Sequence, residues 1–421
     1  MVGLVSCLGL MISAVRWFFY RYRFGDDAIE IQEGVIRRVN KKIPYSNVIN
    51  VEINQPWIYR LTNYVEAIFD SAGNTKKDGV IPCISRKRAE DVKAELVFKG
   101  STKPLDVESQ DALVGRTTAD LFVFGLAHNR VFLFIGLLIG LYYKAKELVK
   151  ELDGHILAFI DGLMYWAPMP VLAVIGASML FGLSAVLSGV LQVVKSYGYR
   201  LWREDVKLVQ VEGLLTKKEN HMTLEKLQRV VIRQTLLDRV VKRCSLILVQ
   251  LNGEMVVPAL RSDETRKLCG DIGVTEPKGQ YKRGAVYAYL RNSVIAFPAL
   301  LFLSYQAWKV EEFGFALFFA GAGLLYVLLS ILRWFRFGYK YDDRVVSIKV
   351  GRLDERVYII DLLKCQAVTV SQSWIEKKLG LASVRLHFVM KTLVIKGIGI
   401  NEACAIRAQA LDEVQNSKRW F

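Results

Sequence analysis

The residues best suited to chemistry recur three times at fixed spacing. An acid (Asp26, Asp205, Asp343) stands eight residues before a glycine (Gly34, Gly213, Gly351), and a glutamine (Gln55, Gln234, Gln372) follows that glycine by 21. A basic residue (Arg60, Arg239, Lys377) comes five further on. A guanidinium held in register can grip a phosphate in bidentate fashion. The same spacing also serves structure: a glutamine amide satisfies backbone groups where a strand turns, and the cation pairs with an acid of its own domain. The structural reading is preferred for these glycine, glutamine and basic positions.

A second set lies beside the glycines: Arg37, Arg38, Lys41 and Lys42 in copy one, Lys217 and Lys218 in copy two, Arg352 and Arg356 in copy three. Near an anionic bilayer each surface cation adds about 1 kcal/mol to attraction, so these are the candidates for an anionic-lipid or partner-binding face. Their alternative is an ordinary solvated strand face.

Other chemistries are poorly supplied. The six cysteines are scattered singly with no CxxC, and the four histidines (His128, His155, His221, His387) are equally dispersed, which predicts no metal site and no disulfide framework. GxxxxGK[ST], GxSxG and HExxH are absent, and Gly397 with Gly399 lacks the third glycine of a dinucleotide loop. No catalytic residue and no cofactor is predicted, and the chain is read as a non-enzyme.

The elements that position the repeated residues are apolar. The 421-residue chain is 52% hydrophobic with 57 Lys+Arg against 41 Asp+Glu, which describes a membrane protein better than two or three soluble domains. Five stretches have the length of a span: Val2 to Tyr20, Leu121 to Tyr143, Met164 to Val194, Val286 to Trp308 and Phe313 to Phe335. The last four form two hairpins, so the polar segments 21–120, 195–285 and 336–421 must lie on one side. Their net charges are +1, +7 and +6, whereas the short loops 144–163 and 309–312 are acidic. Basic residues near span ends stay inside, and the three polar segments are expected in the cytoplasm, with the chain in a bacterial inner membrane. The positive charge is thereby read as orientation, and nucleic acid is not an expected partner.

Each polar segment alternates apolar and polar residues in short runs broken at its glycine, the pattern of antiparallel hairpins with one buried face. Each then closes on a helical stretch, capped by Ser85, by Ser262 or opened by Asn401. A unit of about seven short strands and one helix suits a small barrel or sandwich. The expected divisions are a span at 1–20, domains at 21–100, 195–275 and 336–421, and hairpins at 121–194 and 286–335.

With Tyr22, Gly34, Pro44, Gln55, Pro56 and Arg60 in copy one, this pattern resembles the bacterial pleckstrin-homology (PH) domain of the membrane-flanked type, bPH2. Copy three departs most, with Lys377 for arginine and no proline after Gln372. The triplicated arrangement resembles the YdbT-like membrane proteins. The resemblance implies an α+β membrane protein: three PH-like split β-barrels, each capped by a C-terminal helix, linked by transmembrane hairpins. It also implies a smaller one-domain YdbS-like partner and a role in envelope stress or antimicrobial-peptide tolerance. The family places two helices before every domain, so the single span at 1–20 predicts a shortened first hairpin or a chain start placed too far downstream.

Two functional classes follow. The leading one is a membrane scaffold whose three domains bind a protein partner or anionic headgroups. The rival is a transporter or export component using the spans, which needs ionisable residues within them. Arg130 and Arg291 with Pro168, Pro170 and Pro298 are its support. Gly136 and Gly140, and Ala185 with Gly189, are small-residue pairs suited to close helix packing.

Overall fold

The computed structural model describes residues 18–71, 79–97, 112–128, 169–250, 253–388 and 391–416, less Asp26, 36–37, 46–47 and Asp343, with scattered positions before 18 and between 134 and 162. Of the residues singled out above, Asp26, Arg37, Arg130, His155, Pro168 and Asp343 lie outside these, as do most of Val2 to Tyr20 and of Leu121 to Tyr143.

Each copy consists of two three-stranded antiparallel meanders and a closing helix. In copy one these are β1 (Arg21–Phe24), β2 (Ala28–Glu33) and β3 (Val39–Pro44), then β4 (Val48–Pro56), β5 (Tyr64–Ser71) and β6 (Gly79–Ser85). A short helix α1 (Trp57–Thr62) joins β4 to β5, and α2 (Arg86–Val97) closes the unit. A brief strand β7 (Val114–Gly115) and the helices α3 (Thr118–Ala127) and α4 (Met169–Ser196) lead to copy two. There the order repeats as β8 (Arg200–Glu204), β9 (Lys207–Glu212), β10 (Thr216–Thr223), β11 (Arg229–Gln234), α5 (Leu236–Val240), β12 (Arg243–Val249), β13 (Glu254–Arg261) and α6 (Ser262–Asp271). Helices α7 (Tyr287–Lys309) and α8 (Phe313–Arg336) precede copy three. It comprises β14 (Gly338–Tyr341), β15 (Val345–Gly351), β16 (Glu355–Asp361), β17 (Ala367–Ser371), α9 (Trp374–Lys378), β18 (Leu381–Phe388), β19 (Lys391–Gly399) and α10 (Ile400–Asn416).

Among the described residues the units hold six strands each, where about seven were expected. Period-two alternation builds the core. In copy one Ile29, Ile31 and Ile43 of the first meander pack with Val51, Ile53, Phe69 and Ile81 of the second and with Ala89 and Val92 of α2. The Ser85 hydroxyl accepts from the Arg88 N–H at 3.4 Å, as its position suggested. Ser262 does not cap α6: it is the first helical residue, and the Glu264 carboxylate instead reaches back to the Arg261 N–H at 2.9 Å. Asn401 is the second residue of α10, which opens at Ile400.

The copies are fused edge to edge. Strand β4 of copy one pairs antiparallel with β10 of copy two, making a seven-stranded sheet in the order β6-β5-β4-β10-β9-β8-β7. Strand β11 of copy two pairs in the same way with β16 of copy three, making a six-stranded sheet in the order β13-β12-β11-β16-β15-β14. Apolar contact accompanies the second junction: Val231 joins the core of copy three and Ile359 that of copy two.

Among the described residues two helices have the length and apolarity to cross a membrane, Val174–Ser196 and Phe313–Arg336. The latter packs antiparallel on α7, with Ser293 Oγ donating to Ser330 Oγ at 2.9 Å and Ser304 Oγ donating to the Ala316 carbonyl at 2.6 Å. Helices α3 and α4 meet closely through small residues: a Cβ on Gly125 would stand 2.7 Å from the Gly189 Cα, and one on Gly189 would stand 2.7 Å from the Phe122 ring. Among the described residues no such neighbour lies within 4 Å of Gly136 or Gly140.

A charge at Val231, 6% exposed and opposite Tyr358, would be stranded between two cores. Val231→Asp is expected to cost more than about 3 kcal/mol at this junction. Hydrogen exchange should then accelerate at β11 and β16 together while β17–β19 stay protected; unchanged protection of β16 would refute the coupling.

Candidate functional site

The repeated glutamine builds the same corner in all three copies. The side-chain amides of Gln55, Gln234 and Gln372 donate to the carbonyls of Tyr64, Arg243 and Leu381 at 3.3, 3.0 and 2.6 Å, each nine residues on. Between these partners runs the short helix, which exits through a left-handed residue: Asn63 (φ 57°), Lys242 (φ 56°) and Gly380 (φ 65°). Thr235 with Asp238 and Ser373 with Glu376 form reciprocal capping boxes at the start of α5 and α9. The glutamine thus ties strand four to strand five around a helix too short to hold itself.

That helix turns apolar residues outward. Trp57, Ile58 and Leu61 on α1, Leu236, Leu237 and Val240 on α5, and Trp374, Ile375 and Leu379 at α9 are all exposed. Leu61 reaches 82%, Val240 79% and Trp374 69%. Uncovered large side chains thus recur at one place in three copies, the kind of apolar exposure that makes a candidate interaction surface.

The sheet junctions determine where this surface lies. The tip of the β9–β10 hairpin abuts the end of α4, where the Leu214 N–H donates to the Val194 carbonyl at 3.0 Å and the Gly213 N–H to that of Tyr197 at 2.9 Å. At copy three the Arg336 guanidinium on α8 donates to the Leu353 carbonyl in the β15–β16 tip at 2.6 Å. Because Pro56 pairs opposite Thr216 and Gln234 opposite Glu355, α1 and α5 stand beside these tips. The exposed Leu214, Leu215 and Leu353 therefore join the short helices along the edge where the apolar helices end.

In copy three this edge carries a cation cluster. Lys396 on β19 is held below the ordinary lysine range, first by burial and then by repulsion from Arg333, Arg291 and Arg385, with Glu376 partly opposing. Burial pushes the Glu376 carboxyl up, but hydrogen bonds from the Ser373 N–H (2.7 Å) and the Ser383 hydroxyl (3.1 Å), together with Arg291, outweigh it and hold it below its usual range. Lys396 thus has three arginines for company, Arg291, Arg333 and Arg385 from α7, α8 and β18, with the buried Glu376 carboxylate opposing them and Arg291 acting on both. Ile247 and Pro258 occupy the equivalents of Arg385 and Lys396 in copy two, so the cluster belongs to copy three.

The residues singled out in the sequence are distributed differently. Gly34 and Gly213 take positive φ (110° and 113°) at their hairpins. At Gly213 and Gly351 a Cβ would come within 2.0 and 1.9 Å of the carbonyl oxygens of Thr216 and Asp354, so only glycine fits. Lys41 pairs with Glu33 at 2.6 Å and Lys42 with Glu30 at 3.3 Å across β2 and β3. Arg38 is exposed and lines a cleft with Phe18, Phe19, Arg21 and Glu33, while Arg37 is outside the described residues. Lys217 and Lys218 lie in the first junction opposite Gln55 and Asn54. Arg356 lies in the second, opposite Arg233 and paired with Asp354 at 2.8 Å, and Arg352 is exposed on the hairpin tip.

Among the repeated cations, Arg60 and Lys377 are exposed. Arg239 reaches across the junction to Glu355 of copy three at 3.0 Å, not to an acid of its own copy. Arg291 lies at the domain end of α7, close enough to Glu376 and Lys396 to influence both.

Sequence reasoning missed Arg385 and Lys396. Their signal was a cation inside an otherwise apolar strand, in SVRLHF and LVIKGIG. The described residues hold no group of three or more His, Cys, Asp or Glu arranged for a metal ion.

The model of the bacterial PH domain family matches residues 1–97, 155–272 and 294–414. No curated protein matches the chain, and no solved structure does.

Glu376 titrates below the ordinary glutamate value, so its stabilising contribution is full above about pH 4.3 and is lost as pH falls through its folded value. Acidification from pH 6 to 3.5 should therefore loosen the α9 corner, measured as faster exchange of the Ser373 amide. Glu376→Gln should flatten that dependence; an unchanged profile would count against the assignment.

Proposed function

The chain belongs to the bacterial PH domain family, and from that premise we propose that it is a non-enzymatic membrane scaffold whose three domains form a row along a bilayer surface and engage anionic headgroups through copy three. The observation that carries this reading is Lys396, half-buried on β19 in the company of Arg291, Arg333 and Arg385 with the Glu376 carboxylate opposing them, at the domain end of α7 and α8. A phosphate there relieves the repulsion these arginines exert on Lys396, which is itself partly removed from water, and guanidinium groups offer it bidentate contacts.

Several features support membrane attachment on the same edge. Two helices have the length and apolarity of spans. The exposed residues of α1, α5 and α9 and the hairpin-tip leucines suit the boundary between headgroups and acyl chains, with Trp57 and Trp374 as interfacial anchors. The excess of basic residues at the domain ends of the spans favours cytoplasmic domains and an inner-membrane location. Weak contacts from three tethered domains act together, because the first raises the effective concentration of the others.

The test uses the full chain in nanodiscs of phosphatidylcholine with or without phosphatidylglycerol. Anionic lipid should raise the unfolding temperature, and retained phosphatidylglycerol should be countable by native mass spectrometry. In the double variant Arg385→Gln/Lys396→Gln the preference should fall by about 2 kcal/mol, at about 1 kcal/mol per cation, or roughly 30-fold. Equal stabilisation by both lipids, with no effect of the substitutions, would eliminate the headgroup role and leave a scaffold for protein partners.

A further inference from the structure

The two junctions within the chain share one register. In the first, Gln55 lies opposite Lys217, the fourth residue after Gly213. In the second, Gln234 lies opposite Glu355, the fourth residue after Gly351. Each time the fourth strand of one copy receives the third strand of the next. Among the described residues the rule leaves one edge of each kind unused: β3 of copy one, at the end of a three-stranded sheet, and β17 of copy three, at the end of another.

We propose that β17 of one chain pairs with β3 of a second copy of this chain, in the register that already joins the copies inside it. The glutamine of copy three is Gln372, and the fourth residue after Gly34 is Arg38. The intermolecular ladder therefore sets Gln372 opposite Arg38, Ser371 opposite Val39, Val370 opposite Asn40 and Thr369 opposite Lys41.

The edges fit this use. β17 reads Ala-Val-Thr-Val-Ser, without the charge or the proline that commonly keeps an edge strand single. Thr369 is exposed, whereas its equivalent Val231 is buried by the second junction. β3 carries Lys41 and Lys42, but β10 carries Lys217 and Lys218 and is nonetheless paired, so lysines on this strand do not exclude the junction. The charge pattern also repeats that of the first junction: Arg38 opposite Gln372 has the same character as Lys217 opposite Gln55. A head-to-tail contact of this kind is heterologous and extends a row from chain to chain.

The test uses full-length chains in detergent micelles, with the six native cysteines replaced by alanine or serine. One tagged batch carries Lys41→Cys or Asn40→Cys, and a differently tagged batch carries Thr369→Cys or Val370→Cys. Successive pairs in an antiparallel ladder alternate in type, so one of the matched combinations, 41 with 369 or 40 with 370, has the geometry for a disulfide. Oxidation should join the two tags at least about tenfold more than the control pair Tyr22→Cys with Thr369→Cys, because pairing raises the local thiol concentration. Light scattering of the unsubstituted chain should give masses that rise with concentration above the 47.8 kDa of one polypeptide. A single-chain mass at every concentration overturns the proposal. So do cross-links confined to one polypeptide, yields equal to the control, and a monomeric chain whose β17 is occupied by a smaller protein.

Discussion

The fold depends on what happens to the backbone at the edges of small sheets. A three-stranded meander leaves a row of N–H and C=O groups without partners along each side, and such groups must be paired, covered or left to water. Two of the three copies resolve this by lending their fourth strand to the third strand of the next, through β4 with β10 and β11 with β16. The arrangement then propagates. Pairing Gln234 with Glu355 carries α5 beside the tip of the following hairpin and brings Tyr358 against Val231, so the cores of copies two and three interpenetrate. The linker also serves an edge: β7 covers β8, and the backbone of Lys282 bonds with that of Tyr339 on β14 in the equivalent place.

Charge plays a smaller part in these joints than the ion pairs suggest. Arg239 and Glu355 bridge the second junction, but the arginine side chain is 38% exposed and solvent screens the pair, which limits it to a fraction of a kcal/mol. In the first junction Lys217 stands where Glu355 does in the second and pairs in register all the same. Backbone pairing and apolar burial therefore hold the row together, and the charges are free to differ from copy to copy. That freedom is used in copy three, where cations replace Ile247 and Pro258 of copy two in the strands nearest α7 and α8.

Much of this was legible in the residues. The triplication, the glycine hairpins and the closing helices follow from spacing and alternation, because they depend on contacts within a few residues. The apolar helices follow from length and hydropathy. The corner at Gln55, Gln234 and Gln372 was half legible: recurrence marked the glutamine, while its acceptor nine residues on lies beyond a helix that the strand pattern did not predict. The junctions were not legible, since nothing local tells β4 that its partner is β10, in another copy and beyond two apolar helices. The lysines of β3 and β10 looked alike as basic pairs, yet one set is ion-paired within its meander and the other lies inside a joint. Arg385 and Lys396 escaped because their company comes from α7 and α8.

The row also has a direction. Every copy offers a third-strand edge on one side and a fourth-strand edge on the other, and each apolar helix pair delivers the chain into a first strand, α4 into β8 and α8 into β14. The domains are therefore joined by the same kind of strand pairing from one copy to the next. A joint between separate folded domains must offset the loss of their independent motion. Within one polypeptide the linker has already removed most of that motion, which explains how a first junction built on lysines opposite amides can form at all. Chains confined to a common membrane surface and held in one orientation have lost much of the same freedom. The strand pairing that suffices inside the chain is then asked to overcome a smaller remainder than it would between molecules tumbling in solution.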